Sequence, residues 1–162
     1  MKEPSYMILR RALKLYTERD QIAYFYGAKG EVLTDAVMDA LIAAEPKYFE
    51  QYTEAEMKKI RKFSKGKIGY DCSGFVGKCV GAMLWSGGLW ANTVHRTTIA
   101  DGKAGCILYR PGHVALDLGY GFAIDCPKEL HTLEIFKNNE GGRGLLEAGE
   151  YKTFDYSLAN NY

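Results

Sequence analysis

The hydrophobic period of the chain changes once, near residue 104, and that change limits the possible folds more than any other feature. Before it, apolar residues recur at helical spacing. Ile8, Leu9, Ala12, Leu13, Leu15 and Tyr16 do so over residues 5–20, with Arg10, Arg11, Lys14 and Glu18 between them. Val32, Leu33, Ala36, Val37, Ala40, Leu41 and Ala44 form one stripe over 31–44, which Pro46 ends. Thr53-Glu54-Ala55-Glu56 is a capping box, in which the Thr hydroxyl and the Glu carboxylate each satisfy a free backbone N–H. Met57, Ile60 and Phe63 give the helix that follows its buried side. After residue 104 the period is two, over 104–109, 113–118, 121–126 and 131–136, with turns at Gly112 and Gly119–Gly121 and a last strand over 151–156. Residues 89–103 read as loop, as does the polar stretch from Asn138 to Gly144. Helices followed by an antiparallel meander define an α+β domain.

One helix stands apart. Residues 72–84 (Cys72, Phe75, Val76, Cys79, Val80, Met83, Leu84) are apolar on nearly every side, up to Gly87-Gly88. A helix with so little polar surface belongs in the middle of a domain. The 162 residues suit one domain spanning 1–162, and no repeat, low-complexity tract or linker divides them. A net charge of +1, from 21 basic and 20 acidic residues, gives the whole chain no attraction to nucleic acid or to an acidic membrane. No apolar run approaches the ~18–20 residues of a membrane span. Met1 to Leu15 alternates apolar and charged residues and does not read as a signal peptide. Localisation stays open between the cytoplasm and the cell wall, the latter through a trimmed leader or indirect export.

The chemistry concentrates in Gly69-Tyr70-Asp71-Cys72-Ser73-Gly74-Phe75-Val76, which puts a cysteine on the first turn of the buried helix. Free N–H groups and the positive end of the helix dipole favour a thiolate there, and the thiolate is the reactive form. A nucleophilic cysteine needs a base. Of the three histidines, His113 opens a strand just past a turn, and Asp125 ends the next strand 12 residues on. A hairpin around Gly119-Tyr120-Gly121 would bring the two together, and the carboxylate could fix the imidazole tautomer. His95 and His131 read as surface or loop residues. Cys79, Cys106 and Cys126 read as packing, the tyrosines as ordinary amphipathic packing, and the charged run Glu54 to Lys67 as a solvated helix face. The cysteine spacings match no zinc pattern.

Three blocks in this order resemble the NlpC-type peptidoglycan peptidases, which are papain-like in fold. Asp71-Cys72-Ser73-Gly74-Phe75-Val76 looks like the family's D-C-S-G-L/F-V nucleophile motif, and Gly112 to Gly119 looks like its His strand. Asp125 stands where the family carries its third polar residue. A weaker fourth block, Ala23-Tyr24-Phe25-Tyr26-Gly27-Ala28-Lys29-Gly30, is similar to the family's P-Y-x-W/Y-G-G stretch. The resemblance implies a papain-like fold, with the nucleophile helix packed centrally on the sheet. It implies that Cys72 attacks an amide carbonyl, His113 moves the proton and Asp125 orients His113. It further implies that Asp71 and Ser73 bind the free amino group of an N-terminal L-Ala in a peptidoglycan stem peptide, that Tyr24 lines the pocket, and that the bond cut joins D-Glu to the diamino acid. No metal or other cofactor is implied, and the enzyme would act as a monomer.

The chain departs from that pattern in about 40 residues between the Tyr24 block and Cys72, so that 31–64 would be a helical insertion. We expect two helices there, packed beside the cleft and restricting substrates to short stem peptides, with a stabilising appendage on the far side of the domain as the alternative. Gly105-Cys106-Ile107 replaces the usual G-D-L/V, and Arg96-Thr97-Thr98 loosely matches a family stretch near the substrate. Two alternatives remain: a CHAP-type amidase, which also uses a Gly-His-Val strand, and a silent wall- or phage-associated binding module of the same fold.

Overall fold

The computed structural model describes residues 1–138 and 143–160. It begins with strand β1 (Glu3–Pro4) and helix α1 (Tyr6–Thr17), which buries Ile8 and Ala12. Strands β2 (Ile22–Tyr24) and β3 (Lys29–Val32) follow. Next come three helices, α2 (Asp35–Ala44), α3 (Pro46–Phe49) and α4 (Glu54–Ser64). Strand β4 (Ile68–Tyr70) leads into helix α5 (Cys72–Val80), and α6 (Ser86–Ala91) comes after it. The remainder is strand: β5 (Thr93–Thr98), β6 (Ile107–Arg110), β7 (His113–Gly119), β8 (Phe122–Asp125), β9 (Glu134–Lys137), β10 (Glu147–Tyr151) and β11 (Phe154–Asp155). No described helix is long and apolar enough to cross a membrane.

The fold is α+β. Six strands form one sheet in the order β5-β10-β6-β7-β8-β9, and every pairing in it is antiparallel. Helix α5 lies against β7 and is flanked by α1 and β3. Phe75, Val76, Cys79 and Val80 of α5 join Ile107, Leu108, Val114, Leu116 and Ile124 of the sheet in the main core. A second core joins Ala23, Phe25, Ala28 and Leu33 to Met38, Phe49 and Ile60 of the three helices.

Several expected boundaries move. The stretch 72–84 is helical only to Val80, because Gly81 turns left-handed (φ 77°) and reverses the chain. Met83, Leu84 and Trp85 are therefore exposed rather than core. The helix expected from residue 31 begins at Asp35: residues 29–32 pair with β4 instead, and the Thr34 hydroxyl caps the helix by accepting from the Val37 N–H at 3.1 Å. Its inner face follows that start, with Met38 buried and Val32 exposed. The segment 31–64 holds three helices, not two. The expected capping box is present, with Thr53 and Glu56 bonded reciprocally at 2.9 and 3.1 Å. Residues 89–103 contain the second half of α6 and all of β5, which long-range pairing with β10 stabilises. The final strand divides into β10 and β11. Most of the loop expected over 138–144 lies outside the described residues.

The three-stranded sheet β2-β4-β3 was not anticipated, and it organises the site. Its middle strand runs directly into α5. Tyr24 of β2 and Lys29 of β3 both pair with Tyr70, one on each side, two residues before Cys72.

Candidate active site

Asp71 is the N-cap of α5; its Oδ1 accepts from the Gly74 N–H at 2.6 Å. The cap places Cys72 on the first turn, where it is half-buried. The other three cysteines are buried, and all four are free thiols. Burial pushes the Cys79 and Cys106 thiols up to about 12, and that of Cys126 well above its ordinary range.

His113 starts β7, where it is buried. Leu116 pairs with Ile124 and Asp117 with Ala123, so His113 and Asp125 lie on the same face of the hairpin as diagonal neighbours. His113 Nε2 lies 2.8 Å from Asp125 Oδ2. The other ring nitrogen is Nδ1, and Cys72 is near enough to be among the groups that raise the His113 pKa. Burial by itself disfavours the imidazolium. The hydrogen bonds to Asp125 and Cys72 outweigh it and raise the His113 pKa from 6.5 to about 9. The ring therefore keeps its proton at neutral pH.

Asp125 is itself held. Arg143 donates from Nε to Oδ2 at 2.9 Å and from Nη2 to Oδ1 at 3.1 Å, and it reaches Glu134 Oε1 at 2.8 Å. Glu134 in turn meets His131 Nδ1 at 2.6 Å. This chain of contacts runs from the half-exposed His131 to the buried Asp125. Arg143 could not be singled out from sequence, because a glycine-rich loop around an arginine has no periodicity.

Tyr24 is buried, and its phenol pKa is pushed far up by burial, with Tyr48, Cys72, Glu129 and Asp71 adding to the effect. The same neighbourhood receives the helical segment. The Tyr48 ring stacks on Tyr26 at 3.6 Å between centroids, and Trp85 lies 5.6 Å from Tyr26. The hydroxyls of Tyr48 and Tyr52 both donate to Glu129, the latter at 2.6 Å. Two of the tyrosines read from sequence as ordinary packing thus clamp a buried carboxylate in the loop after Asp125. Asp71 and Ser73 are almost wholly buried and face Lys29, whose Nζ lies 2.9 Å from Asp71 Oδ1 and 2.7 Å from Ser73 Oγ. Arg96 bonds back to Trp90 O at 2.7 Å. Among the described residues no cluster of three or more His, Cys, Asp or Glu is arranged to hold a metal.

A cysteine at the start of a central helix, packed on an antiparallel sheet that carries a histidine, defines a papain-like domain. Solved structures share this fold. The peptidoglycan hydrolase RipB from Mycobacterium tuberculosis matches at 18% identity and a TM-score of 0.56, over 93% of this chain and 65% of its own. Two structures of the resuscitation promoting factor interacting protein RipA, one mutated at a cysteine and one at a histidine, match at 16% and 18% identity with TM-scores of 0.55 and 0.52. Each covers 91% of this chain, which spans 61% and 62% of theirs. No family model and no curated protein matches the sequence.

Proposed function

We propose that the chain is a cysteine peptidase that hydrolyses an amide bond in peptidoglycan stem peptides, with D-Glu–diamino acid as the bond cut. The observation that carries the reading is the 2.8 Å contact of His113 with Asp125, with Cys72 among the groups that raise the His113 pKa. The fold shared with RipB and RipA supports the substrate class.

In this reading the Cys72 thiolate attacks the amide carbonyl carbon. The N–H groups of Cys72 and Ser73, which precede the Gly74 N–H taken by the Asp71 cap, stabilise the oxyanion. The His113 imidazolium gives its proton to the leaving amine, and a thioester remains on Cys72. His113, now neutral, takes a proton from water, whose oxygen attacks the thioester and frees the acid, leaving the Cys72 thiolate and the His113 imidazolium as at the start. Asp125 holds the ring through Nε2 and keeps the imidazolium favourable. Tyr24 lines the pocket, and Asp71 and Ser73 stand on either side of Cys72 with the Lys29 ammonium held between them. The segment 31–64 stands as an insertion that narrows the cleft and favours short stem peptides over intact cross-linked wall.

Defined stem peptides, both free and still joined to their sugar, with mass analysis of the products, test the proposal. The unaltered chain releases a fragment ending in D-Glu, and Cys72→Ala releases none while remaining folded. Full hydrolysis by Cys72→Ala would end the thiol mechanism. Release of intact stem peptide from the sugar would instead make the chain an amidase. Iodoacetamide at neutral pH should label Cys72 well before Cys79, Cys106 or Cys126; equal labelling speaks for a silent binding module.

A further inference from the structure

Asp71 and Ser73 stand one residue to either side of Cys72, with exposures of only 2% and 1%. Both converge on one ammonium. Lys29 Nζ lies 2.9 and 3.2 Å from the two Asp71 oxygens and 2.7 Å from Ser73 Oγ. An ammonium has three donors, and these contacts use them all. The Trp85 ring covers another side, with its centroid 4.3 Å away. Asp71 is equally committed: it also accepts from the Gly27 and Gly74 N–H groups at 3.0 and 2.6 Å and from the Ser73 hydroxyl at 3.1 Å. The backbone fixes the arrangement, because Lys29 pairs with Tyr70 and the Asp71 N–H donates to Ala28 O at 3.1 Å.

A buried carboxylate and a hydroxyl that hold one ammonium beside a nucleophile make a receptor for a cation, and the chain fills it with its own. We propose that Lys29 is a specificity-determining residue. It closes this subsite to peptides with a free α-ammonium and reserves the site for peptides whose N-terminus is acylated. The proposal rests on the reading of Cys72 as an amide-cleaving nucleophile. A second ammonium would find no open acceptor on Asp71, and it would have to evict Lys29 or sit beside a like charge. The neutral amide of an acylated terminus meets neither obstacle. Lys29 has no donor left for a substrate carboxylate, so the subsite is neutral rather than cationic.

The test uses a stem peptide of L-Ala, D-Glu and a diamino acid, with its α-amine free or acetylated. Binding to Cys72→Ala is read by calorimetry, and cleavage by the unaltered chain is read alongside. Cys72→Ala should bind the acetylated peptide at least tenfold more tightly than the free one. Adding Lys29→Met should open the receptor and reverse that order; Lys29→Arg, which keeps the charge, should preserve it. Equal or tighter binding of the free amine with Lys29 intact overturns the proposal without any Lys29 variant, as does binding of neither peptide. An unchanged preference in a folded Lys29→Met chain overturns it too. A binding preference with cleavage of neither peptide would sink the hydrolase reading and leave the role of Lys29 standing. Cleavage of both peptides with no preference would do the reverse.

Discussion

Asp125 is shared between two cations, and the chemistry of His113 depends on that sharing. Replacing it with Asn keeps the shape and removes the charge. The hydrogen bond and charge of Asp125 that raise His113 to about 9 are then lost, while burial still opposes the imidazolium. Asp125→Asn should move the His113 titration downward, visible by NMR of the ring, and lower kcat/KM by roughly 10²–10⁴-fold. Arg143→Gln removes the bidentate grip on Asp125 and leaves the carboxylate in place. A loss of roughly ten- to a hundredfold in kcat is expected, with KM little changed, as for a group that acts through another. If KM rises and kcat holds, Arg143 serves binding instead. Arg143→Lys should restore less than half of the loss, because an ammonium cannot reproduce the two-pronged contact.

The helix that carries Cys72 touches the β2-β4-β3 sheet without a spacer, and Gly74 makes that approach possible. A Cβ at Gly74 would stand 2.4 Å from the Ala28 carbonyl oxygen and 3.0 Å from Asp71 Oδ1. The first contact is with backbone and cannot swing aside. Gly74→Ala should therefore cost about 1–3 kcal/mol in urea unfolding and disturb Lys29 and Cys72 together. Gly87 is the contrast. It lies in α6 with nothing within 4 Å of its Cβ position, and Gly87→Ala should stabilise by about 0.5–1 kcal/mol. Equal effects at the two glycines would show that the close approach at Gly74 relaxes freely.

Two buried groups give the whole molecule a falling stability with pH. Burial raises Asp117 to about 7, only partly offset by the Gly119 N–H, and His113 stands at about 9. Both bind protons more tightly when folded than when unfolded. Their contributions are complete below the unfolded values, near 3.8 and 6.5, and are lost as pH rises through about 7 and about 9. The melting temperature should decline from about pH 4 to about pH 9. Asp117→Asn should flatten the lower half of that decline, and His113→Gln the upper half. A melting temperature that rises over this range would contradict both assignments.

Much of the site was legible locally. A cysteine on the first turn of an apolar helix, and a histidine and an aspartate on successive strands, follow from period and turn residues alone, because helix starts and hairpins are set by neighbours in the chain. The capping box at Thr53 was visible for the same reason. What lay beyond reach depends on distant partners. Strands β2, β3 and β4 are too short to show a period, and they exist because they pair with each other across the helical segment. The same pairing sets Tyr24 and Lys29 on opposite sides of the strand that leads to Cys72. The Glu129 clamp joins residues about 80 apart in sequence, and the Arg143 grip on Asp125 comes from a loop of no regular pattern. Sequence by itself determined the parts, since local backbone preferences and hydrophobic period place each on its own element. Only the tertiary structure decided which charges meet around them, because a buried ion finds its partner through the packing of the whole chain.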